Sequence, residues 1–486
     1  MQIERLPPVR TSLKPSNHPY LNGAWTPLHE EVTATDLVVL SGTIPTDIDG
    51  VYLRNTENQV HEPLGRFHPF DGDGMIHQIE FKDGKASYRN RFVRTRGFEA
   101  EQEAGGSLWG GLADPVQLAK RPGSGAHGFL KDSSSTDVVV HAGKALSTFY
   151  QCGEGYRLDP LTLEQEGVAG WVPIDGISAH PKVDEATGEL LFFNYSKHAP
   201  YLHFGVVGPD NRLKHYQAVE TPGPRLPHDM AFSANYAILN DLPVFWDAEL
   251  LKRNIHVVRK HEGLKSRFAL VPRAGGEPIW FEAEPTYVLH WLNAYEEGDE
   301  VILDGYFQED PVPEPHKDAL PGFEHMMAFL DQACLKPRLH RWRFNLKTGT
   351  TTEQRLDDRT LEFGTFNAKY AGRKYRYVYS TTAEPGWFLF NGFVKSDLET
   401  GASTSFTLPK GVFASESPFA PKVGAVDEDD GYLVSFLMDE NTGTSECVLL
   451  DAKRIEDGPV CRIALPHKIC SGTHAVWAGR DMLLPA

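Results

Sequence analysis

Four of the chain's 20 histidines stand apart by their surroundings. His180 lies in GISAHPKVD, His228 in PRLPHDMAFS, His290 in TYVLHWLNAYEEG and His474 in CSGTHAVW. Each sits among apolar or small residues at an expected strand end, and His290 interrupts the run Tyr-Val-Leu-His-Trp-Leu. An imidazole buried in such a place without a partner is costly, so each of these rings asks for one. A neutral imidazole is also the commonest metal ligand. Their spacing does not show that the four converge, and a lone histidine is more often structural or solvated.

The remaining histidines read as structural. His61, His68 and His77 flank RFHPFDGDGMIH, whose DGDG could suggest a calcium loop. That segment lacks the other ligands and the closing glutamate of such a loop, so calcium is rejected. His198, His203 and His215 fit strand faces or loops, and His467 a strand end. Five scattered cysteines (Cys152, Cys334, Cys447, Cys461, Cys470) contain no Cys-x-x-Cys and form no evident disulfide framework. No Gly-x-Gly-x-x-Gly follows a strand and no phosphate-binding Gly-x-x-x-x-Gly-Lys loop occurs, so nucleotide cofactors have no motif to hold them. The polar run KDSSSTD reads as a turn rather than as a nucleophile and its base.

The elements that must position these histidines are mostly strands. ASYRNRFVRT, TDVVVHAGKALSTFY, GELLFFNYS, YLHFGVV, EVILDGYF, RLHRWRFNL, RKYRYVYST and GYLVSFLMDENTGTSECVLLD are β-like runs bounded by Gly, Pro, Asp or Asn turns. Helical periodicity is scarce. LPGFEHMMAFLDQACLK predicts a helix with Phe323, Met326, Met327, Leu330 and Cys334 on one face, and a second is expected near DAELLKRN. No low-complexity linker divides the 486 residues, and 41% apolar with 11% aromatic composition supplies a large core. Many short strands over this length fit one closed all-β structure, a propeller sooner than a sandwich. In a propeller, strands distant in sequence all reach the axis, where far-apart ligands can meet.

A net charge of −18 argues against nucleic acid, because no basic face could track a phosphate backbone. The N-terminal MQIERLPPVRTSLKPSNHPY has no apolar segment of the secretory type, and no run of 18 apolar residues occurs. A reduced, cytoplasmic setting is the simplest expectation.

The motifs PYLNGAWTPLHEEVTATDL, GTIPTDIDGVYLRN, FHPFDGDGMIH and GTHAVW, with the four histidine motifs in order, resemble the carotenoid cleavage oxygenase family, including its bacterial stilbene- and vinylphenol-cleaving branch. The resemblance covers nearly the whole chain. It implies a single domain over residues 1–486, with 1–30 an N-terminal extension, folded as a seven-bladed β-propeller. A few helices and loops would cap the metal-containing face. It further implies one Fe(II) per chain, bound by His180, His228, His290 and His474 as metal ligands and catalytic centre. Glu362 in LEFGTF and Glu416 in ASESPFAP match two family glutamates that accept the outer ring N–H of the ligand histidines, which fixes the tautomer and raises basicity. At the third such position this sequence has Gln151, which brings an acceptor without charge.

Four neutral imidazoles leave iron its full charge, unlike a two-histidine-one-carboxylate site. The implied reaction is oxidative cleavage of a C=C bond with O2 to two carbonyl products, needing no NAD, flavin or oxoacid. The partners are a small apolar or aromatic alkene and O2, with peripheral membrane contact at a tunnel mouth as a further expectation. In phenol-cleaving relatives a Tyr and a Lys read the hydroxyl. Leu112 and Phe149 stand near those positions here, leaving Tyr150 or Lys131 to replace them. Phe67, Trp109, Leu112, Phe149, Tyr150 and Trp291 are the expected substrate contacts. A carotenoid or apocarotenoid is the first substrate expectation and a small aryl-alkene (vinylphenol, isoeugenol-like or stilbene) the second. An iron-dependent retinoid-type isomerohydrolase and a non-catalytic propeller are the remaining alternatives.

Overall fold

A computed structural model of the chain describes residues 1–123, 130–253 and 257–483. They fall into two compact units, Met1–Ala179 with Thr404–Ala486, and His180–Ser403.

The first unit holds three antiparallel sheets. One runs in the order Gln2–Arg5, Val32–Thr35, Lys85–Phe92, Asp73–Lys82, Gly50–Asn58, Ala475–Gly479. A second is the meander Asp137–His141, Lys144–Thr148, Tyr156–Leu158, Gln165–Val168. The third packs Gly431–Asp439, Thr444–Asp451 and Pro459–Ala464 beside Val39–Gly42. Two of the three therefore close with a late strand on an early one, Ala475↔Arg54 and Val39↔Ile463 being partners. The N-terminal segment contributes a strand too, since Gln2–Arg5 pairs with Val32–Thr35. Every residue of Gly50–Asn58 is buried, polar ones included, so its side chains must find partners inside the unit.

The second unit repeats one antiparallel meander. Besides a two-stranded ribbon of Val244–Trp246 and Val258–Lys260, its sheets are Lys182–Asp184, Glu189–Tyr195, Leu202–Val207, Leu213–Ala218; then Ala231–Phe232, Tyr236–Asp241, Ser266–Pro272, Ile279–Ala283; then Trp291–Glu297, Glu300–Gln308, Pro337–Asn345, Thr350–Arg355; and a fourth on Glu362–Thr365, Tyr377–Ala383 and Phe390–Asp397. Alternate residues of neighbouring strands share one face, and Val301, Leu303, Phe268, Leu270, Trp342 and Phe344 on such faces form one core between neighbouring sheets.

Four α-helices occur among the described residues. The expected single helix near 320–336 is instead two, Glu324–Leu330 and Gln332–Leu335, broken at Asp331, whose backbone is extended and whose side chain caps the second. An aspartate there favours starting a helix over continuing one. Met327 and Leu330 face inward as expected, whereas Phe329 is exposed. The second expected helix is Ala248–Lys252, and the last residue of its motif, 254, lies outside the described residues. Arg96–Ala104, in RGFEAEQEA, was not expected because Phe98 is its one large apolar residue; Thr95 starts it by accepting the N–H of Phe98.

Candidate metal centre

In the second unit the site residues recur at one topological position, the entry to the first strand of successive meanders. His180 precedes Lys182–Asp184, His228 precedes Ala231–Phe232, His290 immediately precedes Trp291–Glu297, and Glu362 opens Glu362–Thr365. This brings three imidazoles together. The Nε2 atoms of His180 and His228 lie 3.3 Å apart, and His290 stands 5.3 Å, ring centre to ring centre, from each of the other two. All but His228 are buried below a tenth of their surface.

Glu362 accepts a hydrogen bond on Oε2 from His290 Nδ1 at 2.7 Å. That leaves the Nε2 edge of His290 as the ligand edge. The same oxygen accepts the N–H of Phe363 at 2.8 Å, and Phe363 holds a left-handed backbone with φ of 47°. His180 is left-handed as well, with φ of 63°. Non-glycine residues rarely adopt this conformation, and its cost of about 1–3 kcal/mol each gathers where a site over-determines the backbone.

Asp229 fastens the three segments. Its carboxylate accepts the N–H of Trp291 at 2.8 Å and of Met230 at 2.7 Å, and pairs with Lys182 Nζ at 2.7 Å. It is thus joined to the residue after His290 and to the residue two beyond His180, while adjoining His228 itself. Burial raises the Asp229 carboxyl pKa, against the pull of Lys182 and the two N–H donors. Sequence reasoning missed Asp229. The available signal was a charge set between His228 and the apolar Met-Ala-Phe.

In the first unit, His474 sits just before Ala475–Gly479. Its Nδ1 lies 3.2 Å from Glu416 Oε2, which also accepts the Ala475 N–H at 2.5 Å. The backbone of Glu416 is held in turn by the Tyr52 hydroxyl at 3.1 Å. Each unit therefore contains a histidine–glutamate pair of the kind expected, His290–Glu362 and His474–Glu416. Gln151 is half-buried within the turn after Lys144–Thr148. Its neighbour Glu154 is committed elsewhere, to Arg96 at 2.6 Å and to the Tyr156 hydroxyl at 2.7 Å.

Of the expected substrate contacts, Trp109, Leu112 and Phe149 line one open cleft in the first unit. Its wall is far less apolar than expected, because Asp71, Glu101 and Lys131 share it. Lys131 pairs with Asp73 at 2.8 Å and Glu101 at 2.7 Å. Burial alone would lower its pKa, but the two carboxylates hold it above the ordinary value. Burial pushes Asp73 up to about 6 and Asp71 up to about 7. Asp71 accepts the N–H groups of His68 and Leu112 at 2.8 Å each, so both acids of the DGDG motif serve local structure. Tyr150 is half-buried, 5.4 Å from the Phe149 ring. Phe67 packs its edge on His18 at 5.0 Å. Trp291 is a core residue instead of a cleft residue, wedged against Phe268 and Trp342 at 5.7 and 5.3 Å. As the first residue of an inner strand it points into the packing between sheets.

The histidines read as structural have structural partners. His77 contacts the Tyr88 hydroxyl at 2.7 Å and Thr56 at 3.1 Å, His203 stacks on Tyr216 at 5.0 Å, and His215 meets Gln217 at 2.7 Å. His198 is exposed.

Imidazoles gathered at the entries to the first strands of successive meanders define a β-sheet protein with a histidine cluster that could hold a metal ion. Residues 25–479 match the family model described as retinal pigment epithelial membrane protein, and the chain belongs to that family, the carotenoid oxygenases. It is 32% identical to carotenoid 9,10(9',10')-cleavage dioxygenase 1 of Pisum sativum, over 96% of this chain and 91% of the relative. It is 30% identical to isoeugenol monooxygenase of Pseudomonas putida, over 96% and 99%. Its structure matches lignostilbene dioxygenase of Pseudomonas brassicacearum with a TM-score of 0.84 at 27% identity, over 96% of this chain and all of that one. The fold is accordingly a seven-bladed β-propeller. No helix among the described residues is long and apolar enough to cross a membrane.

Proposed function

We propose that this chain is a non-haem iron oxygenase that cleaves a C=C bond of a conjugated alkene, with His180, His228, His290 and His474 holding one Fe(II). The observation that carries the reading is the meeting of His180, His228 and His290, with Glu362 fixing the ring of His290. The donor set fits the ion, since neutral imidazole suits iron and the absence of a charged ligand leaves it electrophilic. The relatives named above are a carotenoid-cleavage dioxygenase and two oxygenases named for isoeugenol and lignostilbene, which supports the same reaction class.

Bound Fe(II) supplies the one-electron chemistry that lets dioxygen react with a closed-shell alkene. The chain's own part is positional. Glu362 and Glu416 orient His290 and His474, and Asp229 holds the His228 and His290 segments in register with Lys182. Both oxygen atoms of O2 enter the products as two carbonyl groups, and the alkene supplies all four electrons. No nicotinamide, flavin or oxoacid is required.

The first substrate reading is a carotenoid or apocarotenoid. The second, a small oxygenated aryl-alkene, draws support from the charged wall of the cleft, where Lys131, Glu101 and Asp71 stand beside Trp109 and Phe149. A cationic ammonium suits a phenol or hydroxyl better than a hydrocarbon end. Incubating the iron-loaded protein with both substrate sets under ¹⁸O₂, with oxygen uptake and product mass spectrometry, tests the proposal. Labelled carbonyl products and oxygen consumption are expected. Alkene isomerisation or ester cleavage without oxygen uptake would overturn it, and aromatic aldehydes without apocarotenals would select the second reading.

A further inference from the structure

We propose that His316, Asp331 and Cys334 form a zinc-type metal site that staples the long excursion between Glu300–Gln308 and Pro337–Asn345. Their donor atoms all lie within 4.8 Å of one another. Cys334 Sγ is 3.2 Å from Asp331 Oδ2, and His316 Nε2 is 3.6 Å from the same oxygen. Zinc bonds of about 2.0–2.3 Å in a tetrahedron place neighbouring donors about 3.3–3.6 Å apart, so the His316–Asp331 edge has the required length and the Cys334–Asp331 edge falls just short of it.

The imidazole is otherwise poorly served. His316 Nδ1 is buried with no hydrogen-bond partner, and Nε2 at 3.6 Å is beyond hydrogen-bonding reach of the carboxylate. A cation between them converts a weak approach of two acceptors into two bonds. The carboxylate cannot swing away, because its other oxygen caps Gln332–Leu335 by accepting the Ala333 N–H at 2.9 Å and Asp331 is buried. The other end of the staple is anchored too, with the His316 N–H donating to the Glu324 carbonyl at 3.0 Å.

The donor chemistry selects the ion. Calcium and magnesium take oxygen ligands, whereas one thiolate, one imidazole and one carboxylate suit zinc. Binding breaks the Cys334 S–H bond, releases that proton to solvent and forms the zinc–sulfur bond, with no change of oxidation state. Because His316 and Cys334 are only half-buried, solvent can fill the fourth position. The result ties residue 316 to residues 331–334 across the helix Glu324–Leu330 and removes loop freedom from this excursion.

The test uses the full, iron-loaded chain. After equilibration with zinc and removal of loose metal on a chelating resin, elemental analysis is expected to find one zinc per chain beside the iron. Cys334→Ser is expected to lose that zinc, or to bind it at least tenfold more weakly, with iron content unchanged. Cobalt(II) gives an independent reading, since a thiolate ligand produces a sulfur-to-cobalt absorption band that an all-imidazole site cannot. The band is expected in the native protein and absent in Cys334→Ser; should that variant fail to fold, His316→Gln carries the same zinc measurement. No retained zinc together with no cobalt–thiolate band in the native protein overturns the proposal, as does a band that survives Cys334→Ser.

Discussion

The carboxylate of Asp229 accepts the backbone N–H of Trp291 at 2.8 Å, joining the residues that directly follow two clustered histidines. Lys182, two residues beyond the third, pairs with the same carboxylate at 2.7 Å. One buried anion thus sets the spacing of three strand entries from three different sheets, and the imidazoles inherit that spacing. Replacing it by Asp229→Ala leaves the Lys182 ammonium and the N–H groups of Met230 and Trp291 without their acceptor. A loss of about 3 kcal/mol is expected, read as a lowered denaturation midpoint, together with reduced iron content. Asp229→Asn keeps one acceptor oxygen and should fall between. Full iron loading in Asp229→Ala would refute this organising role.

Glu362 acts one step further from the metal. Its bond to His290 Nδ1 fixes which ring edge faces the cluster, and losing such a partner ordinarily costs about 10–100-fold in metal affinity. Glu362→Ala is expected to show that loss in chelator competition, and Glu362→Gln a smaller one because its amide oxygen still accepts. Equal affinity in all three proteins would show that the backbone at Phe363 alone sets the ring. Glu416→Ala makes the corresponding test for His474 through the first unit.

The parts of this arrangement that were legible in the sequence are those written in residue type. An imidazole inside an apolar run, as at His290, announces a partner whatever the fold, and turn chemistry marked most strands within a residue or two. Glu362 and Glu416 needed the resemblance, because a glutamate after Leu361 or Ser415 carries no local sign of pointing at a histidine. Asp229 and Lys182 were hidden for a different reason. Their roles are bonds to backbone and to each other across sheets, which no periodicity encodes. Trp291 was misread because an aromatic beside a ligand histidine looks like a pocket wall until the strand's alternation turns it into the core.

Acid sensitivity should be traceable to Asp184, the last residue of the strand that follows His180. Burial alone would raise its carboxyl, but the Arg273 and Arg373 guanidiniums, at 2.9 and 3.0 Å, hold it below the ordinary value. A depressed folded-state pKa contributes stability above the unfolded value of about 3.9, lost as pH falls through the folded one. Asp184→Asn is therefore expected to be less stable than the native protein at pH 7, with the gap narrowing below about pH 4 as the native carboxylate protonates. Parallel stability curves from pH 7 to pH 2 would show that Asp184 carries none of it.

Removing ligands one at a time separates the metal reading from a structural one. Under the proposed function, His180→Ala, His228→Ala, His290→Ala and His474→Ala should each lose iron and alkene cleavage by more than the 10–100-fold that an outer partner costs. His198→Ala, which alters an exposed ring, should leave both unchanged. The informative member is His474→Ala, since His474 lies in a different unit from the other three and its neighbours Glu416, Thr473 and Asn55 can hold the backbone without the ring. Its carbonyl contact, Asn55 N–H to His474 O at 2.9 Å, survives the substitution. A folded His474→Ala protein that still holds a full complement of iron would reduce the centre to the three histidines of the second unit, and the four-imidazole reading would fall with it.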